Sequence, residues 1–274
     1  MHQDPKKLNA VLVQRVEISP GLAVFRFEPD GWDLHSYQPG QFGVLGLPGQ
    51  ARRAVGAAIE ETPSPPEKMI KRAYSIASGS NQLEFIEFYV VMVPEGALTP
   101  RLFALEIGDR VWLSPEMKGH FTLEDVPADA NLALISTGTG LAPFMSMART
   151  HLPEDGHRRW SIFHGVRGRK DLGYRQELTS LSQVCNHLDY IPILSRGSEE
   201  AMPWNGETGH INHLFERHYL DEKWGFPMKP ENTHVFLCGN PAMIEGMKTM
   251  LQNRGFEMHK PKEHSGQIHI ESYW

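Results

Sequence analysis

Cysteine is nearly absent from this sequence: 274 residues contain only Cys185 and Cys238. They form no CxxC pair and have no Cys/His ligand spacing, so neither a disulfide framework nor an iron–sulfur cluster is expected. Long apolar runs are missing too. No stretch reaches bilayer-spanning length, and residues 1–20 lack the hydrophobic region of a signal peptide, so no membrane part and a cytoplasmic location are expected. Excess positive charge is lacking: 27 Lys and Arg stand against 33 Asp and Glu, and the net charge of −6 argues against nucleic acid as the main partner. The 14 histidines include no HExxH or comparable pattern, so none is assigned to a metal and surface or helix positions are expected for them. With 40% hydrophobic and 22% charged residues, the composition is that of a folded protein rather than a disordered one.

The length allows two domains with a core each, and the chain changes grammar partway along. In the first half Ala10–Ile18, Leu22–Glu28, Phe42–Leu47, Arg72–Ala77, Leu83–Val93 and Arg110–Leu113 are rich in Val, Ile, Phe and Tyr. Gly, Pro and Asp punctuate them, as in Ser19-Pro20-Gly21 and Gln38-Pro39-Gly40, and close-set short strands of this kind predict a small antiparallel barrel. In the second half, buried-strand candidates Asn131–Ile135, Trp160–Gly165, Leu188–Leu194 and His234–Cys238 alternate with helix-compatible stretches Pro143–His151, Asp171–Val184, His210–His218 and Pro241–Asn253. That alternation predicts a doubly wound parallel sheet, which binds ligands at the carboxyl ends of its strands. The boundary falls near Val126–Asn131, giving domains 1–128 and 129–274. A polar insertion, Gly49–Lys71 with Pro63-Ser64-Pro65-Pro66, reads as an exposed loop, and Arg52-Arg53 within it as solvated charge.

Thr137-Gly138-Thr139-Gly140-Leu141-Ala142-Pro143 follows one of these strands and opens a helix. Glycines there let backbone N–H groups approach a pyrophosphate, the helix start adds partial positive charge, and Pro143 suits the first helical turn. Alone, such a loop is equally a glycine-rich turn without a ligand. Arg72-Ala73-Tyr74-Ser75 lies on a strand, with Arg72 and Tyr74 on one face and Ser75 on the other unless the strand ends there. Arginine suits a phosphate, tyrosine a flat ring and serine a ring nitrogen, yet by themselves an Arg and a Tyr here read better as a solvated strand face.

Four segments together resemble the ferredoxin–NADP reductase family, in family order and over nearly the whole chain. Arg72-Ala73-Tyr74-Ser75 resembles its flavin signature RxYS, and Gly96-Ala97-Leu98-Thr99 its second flavin segment GxLT/S, whose backbone and hydroxyl meet the pyrophosphate. Thr137-Gly138-Thr139-Gly140 resembles its nicotinamide-side loop and Cys238-Gly239-Asn240-Pro241 its CGxP turn. His164-Gly165-Val166-Arg167, Leu194-Ser195-Arg196 and the terminal Glu271-Ser272-Tyr273-Trp274 resemble the bacterial ferredoxin/flavodoxin branch.

The resemblance implies a six-stranded Greek-key barrel for FAD followed by a doubly wound parallel sheet for NADP(H). It implies that Arg72, Ala73, Tyr74, Ser75, Tyr89, Val91, Gly96, Leu98, Thr99 and Trp274 bind FAD, the last by stacking on adenine. Thr137, Gly138, Thr139, Gly140, Arg167, Ser195, Arg196, Cys238 and Gly239 would bind NADP, and Ser75, Cys238 and Glu271 would border the reacting atoms. The implied activity is hydride exchange with NADP(H) and single-electron exchange with a separate ferredoxin or flavodoxin. That partner would dock on a local basic patch drawn from Lys68, Lys71, Arg101 and Lys118; nothing calls for a dimer. One departure stands out. Thr208-Gly209-His210 places histidine where bacterial relatives carry a third arginine, weakening the preference for NADP over NAD. Two other readings remain: an NADH-dependent reductase component of an oxygenase, or a flavin-binding relay subunit without nicotinamide chemistry.

Overall fold

A computed structural model describes residues 8–156 and 158–272. Contacts divide them into two compact units. One runs to Gly119 and takes in Met145–Thr150; the other comprises His120–Phe144 and the residues from His151 onward. The division lies upstream of Val126–Asn131 because Phe121 packs on Phe144 and Phe236 of the second unit, at ring separations of 5.9 and 5.2 Å.

The first unit is an antiparallel sheet of six strands, β1 (Ala10–Ser19), β2 (Leu22–Pro29), β3 (Phe42–Pro48), β4 (Met69–Ser75), β5 (Ile86–Val91) and β6 (Arg110–Leu113), with a one-turn helix α1 (Thr99–Leu102) between β5 and β6. Its spatial order is β4-β3-β6-β1-β2-β5. An antiparallel bridge between Ile76 and Phe88 brings the two edge strands together and closes the barrel. The β1–β2 hairpin turns on Pro20-Gly21: proline fixes its own φ, and Gly21 takes φ +77°, which a side chain would strain. Inward residues Leu12, Phe25, Phe27, Leu45, Phe88 and Leu113 are fully buried, as alternation along half-buried strands requires. The expected strand Leu83–Val93 is regular only over Ile86–Val91. Glu87 on β5 is buried and paired with Arg26 (2.5 Å) and Arg149 (2.6 Å).

The second unit is a parallel sheet: β7 (Asn131–Thr137), β8 (Trp160–Val166), β9 (Leu188–Leu194), β10 (Glu207–Thr208), β11 (Thr233–Cys238) and β12 (Ile268–Glu271). Its helices are α3 (Arg175–Val184), α4 (Ile211–Glu216), α5 (Tyr219–Trp224) and α6 (Pro241–Asn253), while α2 (Ala142–His151) starts in this unit and its Met145–Thr150 stretch is counted with the first. The strands lie in the order β10-β9-β8-β7-β11-β12. Every residue of β11 is buried, as for a parallel strand covered on both faces. The chain steps outward from β7 through β8, β9 and β10, then returns to the far side of β7 with β11 and β12. The direction therefore reverses between β7 and β11, the place where open α/β sheets leave a crevice for ligands.

Candidate functional site

The Thr137–Gly140 and Cys238–Gly239 loops meet at that reversal. β7 and β11 run in continuous register to Ser136 and Cys238, and β11 and β12 to Cys238 and Glu271. Ser136, Cys238 and Glu271 thus stand side by side at the carboxyl ends of three adjacent strands. The loops beyond are interlocked by glycine. A Cβ on Gly140 would lie 2.7 Å from the Cys238 carbonyl carbon and 2.9 Å from the Gly239 nitrogen. Gly239, at φ +128°, would place one 2.7 Å from the Thr137 oxygen. The Thr137 hydroxyl accepts the Asn240 N–H at 2.7 Å, and the Asn240 side chain caps α6 by accepting from Ala242 and Met243. Gly138 is different: at φ +53° its side-chain direction is open, with nothing within 4 Å. Thr139 is half-buried beside it.

Behind this loop lies a residue whose role the sequence did not disclose. His164 on β8 is fully buried, and its Nε2 bonds the Gly138 carbonyl at 3.2 Å while Nδ1 faces the Tyr190 hydroxyl at 3.4 Å. Burial pushes its pKa down to about 4, so the imidazole is neutral, donating from Nε2 and accepting at Nδ1. The expectation of surface or helix positions therefore fails for His164, as it does for His234, His259 and His269, which form a second buried group. Strand residues packed under covering elements have no access to water; His164 and His234 fall within the buried-strand candidates Trp160–Gly165 and His234–Cys238, whereas nothing in the local pattern marks His259 or His269.

Arg167, Ser195 and Arg196 follow the ends of β8 and β9 and are exposed. The Arg196 N–H donates to the Arg167 carbonyl at 3.0 Å, which sets the two arginines side by side. Thr208 and Gly209 join the same edge through β10 and the bond from Gly209 N–H to the Leu194 carbonyl, so His210 comes next along it, exposed. Guanidiniums with this freedom suit a phosphate monoester, which takes paired charge-assisted bonds.

In the first unit, Arg72 and Ala73 are exposed on β4, Tyr74 is half-buried and Ser75, where the strand ends, is buried. Among the described residues Arg72 reaches only the Lys71 carbonyl, and Tyr74 meets Phe88 edge-on at 6.3 Å, its phenol pushed up by burial. On β5, Tyr89 is buried and Val91 exposed. Gly96, Leu98 and Thr99 lead into α1, but the Thr99 hydroxyl turns back to the Val93 backbone, accepting from its N–H at 3.0 Å and bonding its carbonyl at 3.2 Å. Backbone rather than hydroxyl is therefore what this segment presents. Among the described residues, the Ala97 and Leu98 N–H groups have no hydrogen-bond partner. An exposed guanidinium, a flat ring and unpaired amides fit a flavin dinucleotide; the open Gly138 corner and paired arginines fit a phosphorylated nicotinamide dinucleotide. Trp274 lies outside the described residues.

The basic patch needs correction. Arg101 is 2% exposed and enclosed by Glu60 and backbone carbonyls, so it is no docking residue. Lys71 lies 3.2 Å over the Trp112 ring, with burial lowering its pKa. Arg53 is not solvated charge either: it bonds Glu60 and the carbonyls of Ala58, Pro94 and Gly96. The Gly49–Lys71 insertion is thus pinned to the barrel rather than free.

Comparison with known proteins agrees with this arrangement. Residues 134–249 match the Oxidoreductase NAD-binding domain family. The flavodoxin/ferredoxin–NADP reductase of Buchnera aphidicola (subsp. Baizongia pistaciae) is 31% identical over 76% of this chain and 82% of its own length. The enzyme of the same name from Escherichia coli K12 is 31% identical over 75% and 81%. A crystal structure of a ferredoxin NADP+ reductase from Neisseria gonorrhoeae with bound FAD and NADP superposes with a TM-score of 0.80 and 23% identity, covering 97% of this chain and 98% of that one. By these relationships and by its own two-unit architecture, the chain belongs to the flavodoxin/ferredoxin–NADP reductase family.

Proposed function

We propose that this protein is an FAD-dependent ferredoxin/flavodoxin–NADP(+) oxidoreductase, a cytoplasmic monomer that exchanges a hydride with NADP(H) and single electrons with a separate ferredoxin or flavodoxin. The observation that carries the reading is the interlock of Thr137–Gly140 with Cys238–Gly239 at the sheet reversal, with Glu271 in register beside Cys238. Bound FAD supplies the chemistry, taking or returning two electrons with a proton on the nicotinamide side and passing electrons singly on the other. The barrel is its domain and the parallel sheet that of NADP(H).

The chain's own residues bind and orient. Arg72 neutralises the FAD pyrophosphate, Ala73, Tyr89 and Val91 border the flavin, Tyr74 packs against its ring system and Ser75 hydrogen-bonds at its edge. The Gly96–Thr99 backbone meets the pyrophosphate. Thr137–Gly140 receives the NADP pyrophosphate on backbone amides; Arg167, Ser195 and Arg196 hold the 2′-phosphate. Cys238, Gly239 and Glu271 border the nicotinamide and hold it in place, which is where positioning accelerates transfer. Lys68 and Lys118, both exposed, remain the docking cations for an acidic carrier.

The test is anaerobic stopped-flow reduction of the yellow protein at 450 nm with NADPH and NADH side by side. Fast bleaching by NADPH and slow bleaching by NADH is the expected result. Equal or faster bleaching by NADH would favour the oxygenase-reductase reading, which His210 supports, and no bound flavin would overturn both.

A further inference from the structure

Gly49–Lys71 extends from the end of β3 toward the flavin signature on β4, and its contacts converge on one place. Arg53 donates to the carbonyls of Pro94 (3.1 Å) and Gly96 (3.1 Å), and the Ala58 N–H donates to Pro94 (3.0 Å). The Ala54 N–H donates to Pro100 at 2.8 Å. Arg101, from α1, donates to the Ala97 carbonyl at 2.6 Å and to Gly49 at the root of the insertion at 2.6 Å. Glu60 ties the two guanidiniums together, 2.9 Å from Arg53 and 2.8 and 3.0 Å from Arg101. Side-chain exposures of 2% for Arg101, 15% for Glu60 and 18% for Arg53 make this a shielded knot rather than a surface ion pair.

A trans peptide points its C=O and the next N–H in opposite directions. Drawing the Gly96 and Ala97 carbonyls toward Arg53 and Arg101 therefore turns the Ala97 and Leu98 amides the other way, and these are the amides without a partner among the described residues. The charges point the same way. Two guanidiniums share one carboxylate, so a positive charge is left over in a shielded place where an anion beside it is favoured.

We infer that the insertion is a clamp that presets the Gly96–Leu98 backbone for the FAD pyrophosphate, with Arg53 and Glu60 as positioning residues acting through that segment. The inference rests on the flavin reading above. In wild type, E60Q and R53Q, FAD is removed from the holoprotein and rebinding of FAD and of riboflavin, which has no phosphate, is followed by flavin fluorescence. Thermal melting of each stripped protein is recorded alongside.

FAD affinity falls about tenfold or more in both variants, riboflavin affinity stays within about twofold, and R53K recovers part of the loss. If E60Q does not fold, R53Q, which alters the outer and more exposed arginine, decides the matter. Unchanged FAD affinity overturns the clamp. So does an equal loss for FAD and riboflavin with a collapsed melting temperature, which would make the knot structural only. A wild type that binds no FAD fails in a different way and overturns the flavin reading itself.

Discussion

Replacing Gly140 with alanine tests the crevice at the sheet reversal most directly. The added Cβ would sit 2.7 Å from the Cys238 carbonyl carbon and 2.9 Å from the Gly239 nitrogen, well inside van der Waals contact. Both atoms are backbone, so no rotamer change relieves the clash. They are fixed by the β7–β11 and β11–β12 ladders on one side and by the bond from Asn240 N–H to Thr137 on the other. The loops must part by most of an ångström, at the upper end of overpacking costs, roughly 2–3 kcal/mol. For a chain of this size that lowers Tm by roughly 5–10 °C. Reduction by NADPH slows on the order of a hundredfold, because a misplacement of that size removes the aligned geometry.

Gly138→Ala is the internal control. Its Cβ meets no protein atom, and only the left-handed φ of +53° costs about 1 kcal/mol, or about 2–4 °C. NADPH affinity nevertheless falls, because the proposed function puts the dinucleotide at this open corner. Calorimetry of both variants with an NADPH titration measures the pair. A Gly140→Ala protein melting within 2 °C of wild type, or a Gly138→Ala protein binding NADPH normally, would refute the interlocked-crevice argument.

Arg196→Ala removes one exposed guanidinium of the pair, so the KM for NADPH rises about 10–100-fold while that for NADH is unchanged; an equal rise for both would show that Arg196 shapes the loop instead of holding a 2′-phosphate. Ser75→Ala slows flavin reduction more than it weakens FAD binding, and unchanged stopped-flow rates would remove Ser75 from the reacting site. Acid destabilises the second unit. Burial pushes His164 and His234 down to about 4 and His269 lower still, with His259 and Arg158 adding repulsion at His234 and Asp125 facing His259 at 3.4 Å. Depressed folded values against about 6.5 in the unfolded chain mean that stability is full above about pH 6.5 and drains as pH falls toward 4. Tm should therefore drop clearly between pH 7.5 and 5.0, and a flat profile would show that these imidazoles are not held neutral.

Much of this architecture is legible because its functional parts are local. Thr137–Gly140 and Cys238–Gly239 carry glycines where two backbones must touch, and a glycine loop between a strand and a helix is visible in a short window. Short apolar runs, Leu132–Ile135 in β7 and Val235–Cys238 in β11, announce buried parallel strands. β10 escapes because two residues are too few for a pattern, and β12 because Ile268 and Ile270 alternate with His269 and Glu271 over a single short stretch. The insertion escapes for another reason. Arg53 sits in a polar, proline-bearing stretch and bonds carbonyls 41 and 43 residues away, while Arg101 bonds Gly49 across 52 residues. Nothing in the nearby sequence distinguishes such an arginine from a solvated one. His164 is hidden likewise, since its partners, the Gly138 carbonyl and the Tyr190 hydroxyl, both lie 26 residues away.

These two hidden elements do the same thing in different units. A backbone that is to receive phosphate must present N–H groups and withhold carbonyls, because a carbonyl facing a phosphate repels it. In the second unit the His164 Nε2–H binds the Gly138 carbonyl, which turns the following amide, that of Thr139, the other way. In the first, Arg53 and Arg101 bind the Gly96 and Ala97 carbonyls and turn the next two amides outward. A neutral imidazole suffices where a sheet reversal and two close-packed glycine loops already fix the backbone. The barrel segment is held by the Gly96 N–H bond to Val93, by the Thr99 hydroxyl on the Val93 backbone and by a one-turn helix behind it, and there charged groups and the Gly49–Lys71 stretch add the constraint on its carbonyls. The two cases therefore respond differently to perturbation: loss of the imidazole bond is buffered by the interlocked loops, whereas loss of Arg53 releases the Gly96 carbonyl directly and loss of Glu60 unties the two guanidiniums that hold the Gly96 and Ala97 carbonyls.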